Sequence, residues 1–273
     1  MKERRLDSVK NEFIDIYTAI RNLSHDEILN GPDDGFRPHF ERLHGLAAMH
    51  VDDHEAAGIL HDGEFQSAAM HICQLKALYG LRLEIDAARS IIKGPDPWAM
   101  ARRFAFYPNY LQLAHMEYTG ANLKSRDRVV FLGSGPFPLT LICLCAKYGI
   151  EGVGIEHVPE YAELSENLVK CLDLSGHIRI LCGNHFSLPL SEKCRLVMVG
   201  ADARPKDEIF AHLAKALPGG TRLSCRIYEK GLRRLLDDHA LSDLPPGFTE
   251  YARIRPEPPV NNTSVFLLRN TEY

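Results

Sequence analysis

Gly133, Ser134, Gly135 and Pro136 are the first residues whose spacing suggests chemistry: they follow the apolar run Val129-Val-Phe-Leu132 and precede a helical pattern from Leu139 to Ala146. A buried strand that runs into a glycine turn and then a helix brings backbone close to a ligand, because no Cβ stands in the way. Glu156 ends a second short run, Gly152-Val-Gly-Ile, at roughly the twenty-residue distance from which an acid reaches a ribose hydroxyl. The turn and the acid together predict a nucleoside-containing ligand, with Glu156 on its ribose.

Later apolar runs end in further polar groups, which a parallel sheet would bring to one edge. Ile178 to Cys182 leads into Gly183-Asn184-His185-Phe186, where Asn184 either meets an adenine or simply forms the turn, with His185 beside it. Leu196 to Val199 leads into Gly200-Ala201-Asp202. Thr221 to Ile227 carries Arg226 near its end, as a cation for a substrate carboxylate or as half of a surface salt bridge. Helical patterns at Glu160 to Leu174 and Lys206 to Leu217 separate these runs. Pro136 and Pro138 stand where a dinucleotide motif has its further glycine. The last runs, Tyr251 to Ile254 and Ser264 to Leu268, have no helix between them. An antiparallel hairpin at the sheet edge is expected, and it favours S-adenosylmethionine over NAD.

The elements that must position these groups fall into two kinds. From Arg4 to Leu23, His39 to His61, Phe65 to Ile92 and Trp98 to Asn122, apolar residues recur at helical spacing, with Gly, Pro and Asp at the breaks. The expected fold class is α/β: a doubly wound, Rossmann-like S-adenosylmethionine-binding domain over residues 123–273, with an amino-terminal all-helical cap over residues 1–122. Such a cap would close the ligand crevice against water.

Leu132-Gly-Ser-Gly-Pro-Phe-Pro-Leu-Thr140 resembles the Gly-Ser-Gly-Pro-Leu-Pro-Leu-Thr signature of the nicotianamine synthase family. Phe104-Ala-Phe-Tyr-Pro-Asn-Tyr110, with Leu111, Leu113 and Glu117, resembles that family's Phe-Pro-Tyr-Tyr-x-Asn-Tyr segment. This sequence departs from the pattern at Phe137, Ala105 and Phe106, the last of which lacks a hydroxyl. The resemblance implies transfer of the 3-amino-3-carboxypropyl (aminobutanoate) group of S-adenosylmethionine to an amine, with release of methylthioadenosine. The compact chain looks most like the bacterial branch that makes opine-type metallophores such as staphylopine and pseudopaline, which implies the α-amino group of histidine as acceptor. A synthase that condenses S-adenosylmethionine molecules and a small-molecule methyltransferase are the alternatives. The resemblance also implies Glu84 as the base that deprotonates the amine, with Glu64 and Asp86 as fallbacks. Tyr107 follows as a proton relay or positioning phenol, and Asn109 and Tyr110 as residues of the substrate pocket.

Composition narrows the function classes. The 273 residues are 45% hydrophobic and 25% charged, ample for two globular domains. A net charge of −4 without a dense basic block argues against nucleic acid and acidic membrane as partners and for a small molecule. The amino terminus passes directly into a charged helical pattern, so a cytoplasmic location is expected. The seven cysteines have no Cys-x-x-Cys spacing and read as reduced core residues. His50, His54 and His61 could share a helical face, but without accompanying carboxylates or cysteines no metal is expected. Homodimerisation is a mild expectation.

Overall fold

The apolar runs of the second half become the seven strands of one sheet in the computed structural model, which describes residues 2–49, 51–60, 63–189, 192–229, 231–236, 244–258 and 260–271. The chain divides into two compact units, Met1–Leu83 with Tyr228–Ala240, and Glu84–Ile227 with Leu241–Tyr273.

The first unit is helical. It comprises α1 (Lys2–Ile20), α2 (His25–Asn30), α3 (Arg37–Ala48), α4 (Asp53–Leu60), most of α5 (Gly63–Lys93) and a 3-10 segment at Gly231–Leu236. Phe13, Ile16, Ile20, Phe40, Leu43, Ile72 and Leu75 fill its core at helical spacing. The short α2 went unread in the sequence, although Ser24 and Glu27 form a reciprocal capping box that starts it. Leu232, Leu235 and Leu236 belong to this core. The segment is also tied down by the Cys73 thiol on the Leu235 carbonyl (3.1 Å) and by the Gly231 N–H on Asp53 (2.8 Å).

In the second unit the order of strands is β3-β2-β1-β4-β5-β7-β6. Strands β1 (Arg128–Leu132), β2 (Glu151–Glu156), β3 (Ile178–Cys182), β4 (Leu196–Val199) and β5 (Arg222–Ile227) are parallel. Strands β6 (Phe248–Ile254) and β7 (Thr263–Arg269) form the antiparallel hairpin at the edge, with β7 paired to β5. One face packs Val129, Phe131, Leu196, Met198 and Phe266 against helices α7 (Tyr107–Gly120), α8 (Leu139–Tyr148) and α9 (Pro159–Cys171). The other face packs Val130, Val197, Val199 and Leu223 against α10 (Lys206–Ala216). Burial on both faces explains why the central strands read as unbroken apolar runs. Helix α8 is buried over Leu139–Cys145, a stretch that is apolar apart from Thr140.

The structural units divide the chain differently from the sequence-based 1–122 and 123–273. The end of α5 and helices α6 (Pro97–Arg103) and α7 contribute Ala88, Ile91, Ala101 and Ala114 to the core over the sheet, and residues 228–240 return to the helical unit. Both are long-range choices that leave no mark on local periodicity. Among the described residues no helix is long and apolar enough to cross a membrane.

Candidate active site

The turn after β1 has the backbone its glycines imply: Gly133 and Gly135 sit at φ +70° and +72°, where L side chains are strained. It is pinned to β2 by its own amides. The Gly133 and Ser134 N–H groups donate to the Ile155 carbonyl (2.9 and 3.1 Å), and the Gly135 N–H donates to Glu156 Oε2 (3.1 Å). Glu156 is 5% exposed, and its Oε1 accepts from the Val158 N–H at 2.9 Å. The exposed His157 also brings its Nδ1 to 3.2 Å from Oε1, so that oxygen already has two neighbours, while Oε2 retains a lone pair that can accept from a ligand hydroxyl. Ser134 is buried; its hydroxyl lies 2.8 Å from where a Cβ on Gly154 would stand, so the side chain covers β2. Pro136 is buried at the start of α8's approach.

Glu84, in the second half of α5, reaches this turn. Its Oε2 lies 2.9 Å from the position a Cβ on Gly135 would occupy, and its Oε1 accepts a hydrogen bond from the Tyr110 hydroxyl at 2.9 Å. The glycine, the carboxylate and the phenol thus form one constellation, assembled from α5, α7 and the β1–α8 turn. Burial and then the Glu84 carboxylate push the Tyr110 hydroxyl well above the usual phenol range, with Asp202 adding to the push and Arg226 opposing it. The phenol therefore remains a donor at neutral pH, and it fixes Glu84 as an acceptor.

The other expected residues sort by position. Tyr107 is half-buried against the core over the sheet and does not share the Glu84 hydrogen bond; burial raises its hydroxyl, with Cys143 and Arg102 close by. Asn109 has a buried Oδ1 without a hydrogen-bond partner among the described residues. Asn184 is exposed and caps a 3-10 turn, its Oδ1 accepting from the Phe186 N–H at 3.0 Å. His185 is buried between Phe186 and His212 of α10. Gly200 abuts the glycine turn, since a Cβ there would lie 2.9 Å from the Gly133 carbonyl oxygen. Arg226, read either as a cation for a substrate carboxylate or as half of a surface salt bridge, pairs with a protein carboxylate in the interior: it is 5% exposed, with Nε 3.3 Å from Glu117 Oε1 and Nη2 3.1 Å from Thr140 Oγ1.

One contributor went unread and another takes a different part. Buried Lys206 donates to the carbonyls of Gly200 and Ala201 (2.8 Å each) and Ala203 (3.3 Å), so it shapes the loop after β4. Tyr110, placed in the substrate pocket by resemblance, is the phenol that holds Glu84. Asp86, a fallback base, is exposed, and the Glu64 side chain lies outside the described residues. Among the described residues no group of three or more His, Cys, Asp or Glu side chains is arranged for a metal ion; His50 and His61 lie outside them, and His54 is exposed.

Over residues 2–272 the chain matches the family described as nicotianamine synthase protein. No curated protein matches it. Among solved structures it is similar to a Glu-to-Gln mutant of MtNAS in complex with S-adenosylmethionine, with a TM-score of 0.85, 27% identity, and coverage of 96% of this chain and 98% of that one. It is equally similar to MtNAS in complex with MTA and tNA: TM-score 0.84, 27% identity, 98% of each chain.

Proposed function

The chain belongs to the nicotianamine synthase family, and from that premise we propose that it transfers the aminobutanoate group of S-adenosylmethionine to an amine. The observation that carries this reading is the Glu84 carboxylate, held by Tyr110 at 2.9 Å and brought against the glycine turn where Gly135 has no side chain to exclude it. An ammonium has no lone pair, so the acceptor must first lose a proton, and Glu84 takes it. The freed nitrogen then attacks the methylene next to the sulfonium. The carbon–sulfur bond breaks, its electron pair goes to sulfur, and methylthioadenosine leaves as a neutral thioether. Orientation decides which of the three carbons on sulfur is attacked, which is the task of the pocket.

In this reading Glu156 accepts from a ribose hydroxyl with the remaining lone pair of Oε2. The Gly133–Pro136 turn and the Gly200–Ala201 loop line the nucleoside and the methionine chain. Asn184 and His185 shape the adenine edge, and Tyr107 and Asn109 face the acceptor. Arg226 acts on the site through protein groups, as argued below.

We further propose that the acceptor amine belongs to an aminobutanoate unit itself derived from S-adenosylmethionine, so that the enzyme condenses S-adenosylmethionine molecules into a nicotianamine-like product. The MtNAS complexes with S-adenosylmethionine and with MTA and tNA support this. The histidine acceptor was inferred from the compactness of the chain, but MtNAS is matched over 98% of its own length, so compactness does not favour the opine branch. Mass spectrometry of products tests the choice. S-adenosylmethionine alone should yield methylthioadenosine and a product carrying at least two aminobutanoate units; strict dependence on added histidine would overturn the condensation reading, and S-adenosylhomocysteine would overturn both.

A further inference from the structure

Strand β5 alternates polar and apolar residues, which is unusual in a strand covered on both faces. Leu223, Cys225 and Ile227 join the core beside α10, while Arg222, Ser224 and Arg226 occupy the opposite face. The two arginines engage α7 and its C-cap. Arg222 donates to the carbonyl of Ala121 at 2.7 Å, immediately past the end of α7. Arg226 reaches Glu117, one turn earlier, and bridges to Thr140 in the first turn of α8. Ser264, directly opposite Arg226 in the β5–β7 register, donates to the same Glu117 oxygen at 3.3 Å.

The Glu117–Arg226 pair is a poor source of stability. Both residues are almost fully buried, at 1% and 5% exposure, so both charges pay desolvation, and their 3.3 Å separation is long for a charge-assisted hydrogen bond. Glu117 Oε2 has no hydrogen-bond partner among the described residues. What the pair does supply is orientation: with Arg222 it fixes both the rotation and the axial position of α7. Two turns towards the amino terminus, on the same face as Glu117, stands Tyr110.

We propose that Arg226 and Glu117 are positioning residues that aim the Tyr110 hydroxyl at Glu84, with Arg222 as the second anchor of the clamp. The proposal rests on the assignment of Glu84 and Tyr110 above. A displacement of about 1 Å at a reacting group can cost on the order of 100-fold in rate, so Arg226→Met and Glu117→Gln should each lower kcat by at least about tenfold, with the KM for S-adenosylmethionine nearly unchanged. Arg226→Lys keeps the charge but loses the planar fork that reaches Thr140, and should lose several-fold in kcat. The decisive variant is Glu117→Leu with Arg226→Met, which leaves no unpaired buried charge and should melt near the wild type. The clamp predicts that this stable protein still turns over slowly. Wild-type kcat in the double variant, or in Arg226→Lys should the double variant fail to fold, would overturn it. Glu84→Gln in the same assay separates the two claims: normal turnover there overturns the base assignment and the clamp with it, whereas lost turnover there beside wild-type turnover in the clamp variants overturns the clamp alone.

Discussion

The glycine turn and helix α7 meet at the same carboxylate, yet they are placed by different means. The turn is positioned by backbone: two positive-φ glycines, three amide hydrogen bonds to β2 and its terminal acid, and no side chain where Glu84 approaches. Helix α7 is positioned by side chains, with Tyr110 on Glu84 at one end and Glu117 on Arg226 at the other. A backbone-built region should be intolerant of added volume, and a side-chain-built region intolerant of a lost partner.

Added volume at the turn gives the largest expected effect. Gly135→Val forces a branched residue into a left-handed backbone, at a cost of roughly 1–2 kcal/mol, and drives its side chain onto Glu84 Oε2. Affinity for S-adenosylmethionine by calorimetry should fall about 100-fold, or roughly 2.7 kcal/mol; unchanged affinity would break the claim that the ligand lies on this turn. Tyr110→Phe comes next. It removes a hydrogen bond to a charged group, about 1.5–3 kcal/mol, so kcat should fall by roughly ten- to a hundredfold while binding holds. Tyr107→Phe, without that bond, should stay within a few-fold of wild type, and the reverse order would return the role to Tyr107. Glu156→Gln should weaken S-adenosylmethionine binding about tenfold through one impaired hydrogen bond, leaving kcat at saturation nearly intact. Lys206→Met should act mainly on stability, costing about 1–3 kcal/mol for the carbonyls left without a donor, seen as a fall of several degrees in melting temperature.

The same contrast explains what the sequence disclosed. The turn, Glu156, the apolar strands and the antiparallel edge hairpin were legible because each is written in contiguous residues: glycine punctuation, an unbroken Val129–Leu132 run, an acid at a strand end. The α7 side was not. Glu117 and Tyr110 do share a helical face, which their spacing would have revealed, but nothing local pairs Glu117 with Arg226, distant in sequence, or seats Lys206 under the loop after β4. Tyr107 was favoured over Tyr110 by motif alignment, and only the fold brings a particular phenol to Glu84. The unit boundary at Leu83/Glu84 was hidden for the same reason, since α5 runs unbroken across it as a single 31-residue helix.

The proposed role of Glu84 is to remove the acceptor's proton, not to hold the donor. Glu84→Gln conserves shape and the Tyr110 contact while abolishing the base, so calorimetry and methylthioadenosine release should be measured on the same preparation. S-adenosylmethionine affinity should stay within about threefold of wild type, under 1 kcal/mol, and release should fall by at least about 100-fold, as general base catalysis implies. Release at the wild-type rate with intact binding would contradict that role.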